Sequence, residues 1–221
     1  MENCKIKNLY NLEETIAKEL LEKFEYPWEV LPEISKFILE IGPQLDKKIY
    51  ELQGENIWVA KSANIYPSAY IKGPAIIGEN AEVRHCAFIR GNAIVGNNAV
   101  VGNSTELKNV ILFNNVQVPH YNYVGDSILG YKAHMGAGSI TSNVKSDKRL
   151  VIVKNGEEKI ETGLKKFGAM LGDCVEVGCG SVLNPGSVIG KNTNIYPLSS
   201  VRGVVPENSI YKNQNEIIVK K

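Results

Sequence analysis

The residues best equipped for chemistry lie in one stretch of the chain: Arg90, then Glu106-Leu107-Lys108, then His120-x-x-Tyr123-x-Gly125-Asp126, then Gly136-Ala137-Gly138, and then Asn143. An imidazole titrates near pH 6.5 (about), so a histidine can take up or release a proton close to neutrality. Arginine offers a planar fork of donors and lysine a compact point charge, and both suit a phosphate. Of the three histidines, His120 alone sits among so many polar partners. A lone histidine is more often structural, and that is the reading for His85 and His134. The four cysteines, Cys4, Cys86, Cys174 and Cys179, form no CxxC pair. Their spacing suits neither a zinc site nor a disulfide scaffold, so reduced thiols are expected. Cys179 has no histidine near it in sequence, which disfavours a nucleophilic role.

These residues are carried by a repeat. Every sixth residue from Val59 is aliphatic: Val59, Ile65, Ile71, Ile77, Val83, Ile89, Val95, Val101 and Leu107. A second register, four residues after each, is alanine at Ala63, Ala69, Ala75, Ala81, Ala87, Ala93 and Ala99. The aliphatic register resumes at Leu171, Val177, Leu183, Ile189, Ile195 and Val201. A period of six fits neither a helix nor an alternating strand. It fits a coil with three flat faces, one hexad per face, in which the aliphatic residue points inward and the alanine fills a tight interior corner. Glycines such as Gly78, Gly96, Gly102, Gly172 and Gly190 relieve the turns. The expected fold is mainly β, a left-handed parallel β-helix of hexapeptide repeats with an N-terminal helical cap and an inserted loop or hairpin.

The expected organisation is a helical cap and N-terminal segment at 1–54, the β-helix at 55–205 with an insertion at 144–167, and a C-terminal tail at 206–221. In the cap, Asn11 and Glu14 form a plausible capping pair ahead of an apolar stripe of Ile16, Ala17, Leu20, Leu21 and Phe24. Pro32 is placed to open a second helix carrying Ile34, Phe37, Ile38 and Ile41. An open end of a coil stack needs covering, so the cap is read as a lid or a trimerisation element. The period breaks between Leu107 and Leu171. Residues 144–167 are polar and too long for a hexad, and they are read as a loop or hairpin leaving the helix. Insertions in repeat proteins cluster on the working face. The basic residues of this segment are either a solvated face or an attraction for coenzyme phosphates.

The hexads resemble the bacterial hexapeptide-repeat transferases, which are left-handed β-helices and usually trimers. The run from Arg90 to Asn143 is more specific. It resembles the acetyltransferase domain of the bifunctional enzymes that make UDP-N-acetylglucosamine, over roughly residues 57–202. The insertion ending GLKKFGAMLGD is closer to the archaeal bifunctional sugar-1-phosphate nucleotidylyltransferase/acetyltransferases. The resemblance implies an acyl-CoA-dependent N-acyltransferase, with acetyl-CoA as co-substrate and no metal, acting on an amino sugar phosphate such as glucosamine-1-phosphate or a related nucleotide sugar. It implies that Arg90 and Lys108 hold the sugar phosphate, with Glu106 and Tyr123 in the same acceptor site, joined by Arg149 or Lys148 at the position of a family lysine past the asparagine. His120 is then the general base and Asn143 contacts the sugar or acetyl group. Asp126, six residues on from His120, is expected to orient the imidazole. The backbone near Ala137, with Cys179 and Pro197, matches the coenzyme-binding positions. The sequence departs from the family at His134, where an asparagine is usual, and at Cys179, where a serine is usual. No nucleotide loop of the L-x-G-G-x-G-T-R-L kind occurs in the chain.

The formal net charge is +1, with 43% hydrophobic and 22% charged residues. A strong basic excess, which nucleic acid or an anionic membrane would call for, is therefore missing. Neither an apolar leader nor a run of eighteen apolar residues is seen, so a cytoplasmic homotrimer acting on a small molecule is expected. Two rivals stand beside this reading. A β-helical carbonic anhydrase needs three zinc-binding histidines. His85 and His120 have a suitable long spacing, but Asn115 and Gly125 stand where a third ligand would fall. The other rival is a non-catalytic sugar-phosphate-binding or scaffolding module.

Overall fold

A computed structural model describes residues 1–213 and 216–220. Gln214, Asn215 and Lys221, within the expected tail, lie outside the described residues. Short parallel strands wind around three faces. On the first face Ile57 pairs with Ala75, and Ala75 with Ala93, each eighteen residues on. The second face repeats this at Asn64, Glu82 and Val100, and the third at Tyr70, Phe88 and Glu106. Eighteen residues are three hexads, so each coil visits every face once. The aliphatic register fills the bore: Ile77, Val83, Ile89, Val101, Leu107, Leu171, Leu183 and Val201 are all fully buried. Ala75, Ala81, Ala87, Ala93 and Ala99 occupy the interior corners with at most 1% exposure.

The coil does not break after Leu107. It tightens. Val110 pairs with Ala93 and Ser127 with Val110, seventeen residues apart instead of eighteen. The missing residue comes from the corner between the third and first faces. Gly91 and Asn92 fill that corner in one coil, Asn109 alone in the next, and Asp126 alone in the one after. Asn109 and Asp126 take left-handed backbones, φ 55° and 49°, which short polar side chains tolerate better than most. The inward register therefore continues through Leu112, Val118, Val124, Leu129, Met135 and Thr141, all fully buried, with steps of five wherever the corner is short. Residues 104–126 belong to the β-helix.

The helical segment does not cover an open end. It runs along the first face, where Ile34–Ile41 and Pro27–Glu33 pack against strands Ala93–Val95, Glu106–Leu112 and Tyr123–Leu129. The cause is a second apolar row. Trp58, Ile76, Ile94, Ile111, Ile128, Met170 and Val188 follow one another in register on this face. They alternate with the inward residues and so point away from the bore, yet each is at most 8% exposed. Covering each large side chain is worth about 1.5–3 kcal/mol. The second expected helix forms at Ile34–Ile41, with Pro32 inside the preceding 3-10 turn. The first splits into a 3-10 turn at Leu12–Glu14 and a single helical turn at Lys18–Leu21. Asn11 caps the former by accepting from the Glu13 N–H at 3.2 Å, while the Glu14 carboxylate accepts from Asn114 instead of closing a capping box.

Antiparallel strands flank the stack, Tyr50–Gly54 beside Ile57–Ala60 and Glu216–Val219 beside Ser209–Asn213. The insertion contains a hairpin of Ile152–Asn155 and Glu158–Glu161. It leaves the coil at Asn143 and returns at Phe167, where the Phe167 N–H donates to the Asn143 carbonyl at 2.9 Å. The hairpin folds back onto the stack beside Val204–Val205, with Val151 and Val153 fully buried. Among the described residues no helix is long and apolar enough to cross a membrane.

Candidate active site

The shortened corners create the polar cluster. In successive coils the third face presents Phe88, Glu106 and Tyr123 in one outward row, and Arg90 and Lys108 in the row at its far edge. Arg90 Nη1 donates to Glu106 Oε1 at 2.7 Å. Lys108 Nζ donates to both Asp126 oxygens, at 2.8 and 3.0 Å. Asn143 Nδ2 donates to Asp126 Oδ2 at 2.6 Å and to the Tyr123 hydroxyl at 3.1 Å. Asp126 is 3% exposed, and three side-chain donors compensate its burial. Burial, with the Asp126 and Glu106 carboxylates nearby, raises the Tyr123 phenol above its ordinary range, so its O–H remains a donor at neutral pH. The hydrogen bond to Glu106 raises the Arg90 guanidinium still further. The cluster holds two cations and two carboxylates, so an incoming anion gains the cations by exchanging partners with Glu106 and Asp126.

His120 stands at the corner between the second and third faces, at the end of strand Gln117–His120. Its side chain is exposed, and no side-chain hydrogen bond to it occurs among the described residues. The expectation that Asp126 orients it is not met within the chain, because Asp126 sits one corner further on and is taken up by Lys108, Asn109 and Asn143. His120 and the three expected coenzyme residues share one corner column. The Gly138 N–H donates to the His120 carbonyl, the Gly180 N–H to Ala137 and the Leu198 N–H to Cys179. Strand register brings Pro197 over Cys179. Gly102 closes the column on the other side, since a Cβ there would overlap the Pro119 carbonyl.

Next to the column, on the outward side of the second face, lies an open groove lined by His134, Glu176, Cys179, Tyr196, Pro197 and Ile210. His134 Nδ1 lies 2.7 Å from Glu176 Oε2. The third histidine, His85, rests its ring on Tyr66 with centroids 4.5 Å apart. Arg149 is not brought to the cluster. It lies in the outgoing arm of the insertion, its N–H bonded to Asp147 and its side chain exposed. The basic insertion folds along the first face, away from the groove.

Two residues of the site escape the sequence reading. Asn109 Nδ2 reaches both Asp126 Oδ1 (3.1 Å) and the Leu31 carbonyl (3.2 Å), tying the helical segment to the cluster. Asn122, 2% exposed, accepts from the His120 N–H at 3.1 Å and donates to the Gly136 and Ser139 carbonyls at 2.9 and 3.0 Å. It fixes the His120 turn against the Gly136-Ala137-Gly138 turn. The signal was the alanine register, which becomes polar at Thr105, Asn122, Ser139 and Ser181.

Residues 71–184 match the family described as the GMPPB C-terminal domain. The bifunctional protein GlmU of Methanococcus maripaludis is 36% identical over 200 residues, 89% of this chain and 48% of its own length. The chain thus spans about half of that relative. A bifunctional sugar-1-phosphate nucleotidylyltransferase/acetyltransferase of Sulfurisphaera tokodaii is 32% identical over 111 residues, 50% of this chain and 28% of its own. A protein of Escherichia coli named uncharacterized acetyltransferase YaiX is 30% identical over 173 residues, 78% of this chain and 75% of its own.

Proposed function

The chain belongs to the family of the GMPPB C-terminal domain, and from that premise we propose that it is an acyl-CoA-dependent N-acyltransferase acting on an amino sugar phosphate or a related nucleotide sugar. The observation that carries the reading is one polar cluster, in which Lys108 and Asn143 hold the buried Asp126 carboxylate, Asn143 also bonds the Tyr123 hydroxyl and Arg90 bonds the neighbouring Glu106, next to the corner that holds His120. Names of relatives add weight, since two of the three include acetyltransferase.

In this reading the third face receives the acceptor. Arg90 and Lys108 take the phosphate oxygens, giving up part of their contact with Glu106 and Asp126. Tyr123 donates its phenolic O–H, and Asn143 is held by Asp126 to meet the sugar or the acyl group. Arg149 reaches the acceptor only if the arm of the insertion closes. The donor lies along the column of Ala137, Cys179 and Pro197 and the adjoining groove. The amine must be neutral to attack the thioester carbonyl, and it becomes cationic as the C–N bond forms. His120, exposed between the two surfaces, takes that proton. The coenzyme sulfur keeps the bonding pair and leaves as a thiolate when the C–S bond breaks. No metal enters this chemistry. A homotrimer is expected, with a neighbouring subunit closing the exposed cleft, and the four free cysteines suit a reducing, cytoplasmic setting.

The test is release of free CoA from acetyl-CoA in the presence of a panel of amino sugar phosphates and nucleotide-linked amino sugars. Acceptor-dependent thiol release is expected. Release that no acceptor stimulates would refute the proposal.

A further inference from the structure

The only histidine held by a carboxylate within the described residues is His134, not His120. Resting on the transferase reading above, we propose that the His134–Glu176 pair is a second proton-transfer group of the site and donates a proton to the departing thiolate of the acyl donor. Three observations point the same way. Glu176 engages Nδ1 at 2.7 Å, which leaves Nε2 for a ligand. The pair lines the groove that also contains Cys179 and Pro197. His134 pairs with Gln117, three residues before His120 on the same strand. Three residues of strand span about 10 Å. A reacting amine and carbonyl about 3 Å apart, with a hydrogen bond of about 3 Å at each end, fill a gap of that size. His120 is thus placed at the nitrogen end and His134 at the sulfur end.

The step balances within the reaction. The amine nitrogen forms the C–N bond and loses its proton to His120, while the C–S bond breaks and the sulfur takes the electron pair. The Nε2–H of imidazolium 134 passes its proton to that sulfur. The leaving thiol is aliphatic, with a pKa of about 8.5 like that of a free cysteine, so proton donation near neutral pH assists its departure.

The experiment compares His134→Gln and Glu176→Gln with the parent on two donors, acetyl-CoA and an acetyl thioester of an acidic aromatic thiol whose thiolate leaves unaided. With acetyl-CoA, His134→Gln is expected to lower kcat about 100-fold or more, and Glu176→Gln less, in the same direction. With the aromatic thioester neither variant should lose much. Equal losses on both donors, or no loss with acetyl-CoA, overturn the proposal. A parent that turns over neither donor defeats the transferase reading itself. The pair is then judged by proton NMR of the intact protein titrated with CoA. An imidazole resonance that shifts in the parent and is missing from His134→Gln supports contact with the thiol end of the groove, and an unshifted resonance overturns it.

Discussion

At the scale of single residues, labour is divided between exposed and buried polar groups. His120 carries no side-chain hydrogen bond among the described residues, so its imidazole is available to a substrate. His120→Ala is expected to lower kcat by roughly 10²–10⁴-fold with the fold intact. In the parent, the ascending limb of kcat/KM against pH should follow an imidazole-like group, and that limb should vanish in the variant. Arg90→Ala and Lys108→Ala remove charge-assisted contacts worth about 1.5–3 kcal/mol each. Each should raise KM for a phosphorylated acceptor far more than KM for acetyl-CoA, and initial-rate kinetics with both substrates varied would show it. Equal effects on the two would argue against a phosphate site. The Arg90 to Asn143 run was legible in the sequence because its residue types and spacings resemble a known pattern. The partnership of Asp126 was not. Six residues along a coil carry a side chain to the next corner, and only the three-dimensional stack shows that Lys108 and Asn143 reach Asp126 there before His120 can.

At the scale of the elements, a strict period of six made the bore readable without a structure, because one hexad lays down one face. Two features blurred it. Dropping a single residue at Asn109, and again at Asp126, shifts the phase of every later hexad, so a fixed-step scan loses a helix that in fact continues. The outward row from Trp58 through Ile94 to Val188 repeats once per coil, too sparsely to stand out beside the inward register, and so the segment that covers it looked like a lid. Both features bear on the site, since the short corners create the cluster and the covering segment holds it through Asn109 and the Leu31 carbonyl. Ile94→Ala should cost about 2–5 kcal/mol, as for other fully buried large-to-small changes, measured by denaturant unfolding. Ala81→Leu should cost about 1–3 kcal/mol or more by overpacking the interior corner, and an unchanged melting temperature would show that corner to be roomier than the structure indicates. Gly168, where the insertion rejoins the coil, has the Gly125 carbonyl and the Ser127 hydroxyl against it. Gly168→Ala should therefore disturb the Asp126 corner and acceptor binding together.

At the scale of the whole molecule, the polar cluster around Asp126 and the groove beside His134 lie on different faces that meet at the His120 corner, and the groove and much of the cluster are open to solvent in a single chain. A neighbouring copy would turn the open corner into a cleft, and closed cyclic symmetry is the usual form of such assemblies. Light scattering should give three times the 24.4 kDa chain mass, the trimer that the resemblance to hexapeptide-repeat transferases implies, and a monomer at micromolar concentration would leave the cleft unexplained. The claim on which everything else depends is that the chain moves an acyl group onto an amine. Mass spectrometry of amino sugar phosphates after incubation with acetyl-CoA labelled in its acetyl group tests it most directly. One labelled acetyl is expected on the amine nitrogen of at least one acceptor, formed by the parent and nearly abolished in His120→Ala. Unlabelled acceptors throughout, with acetyl-CoA left intact, would contradict it.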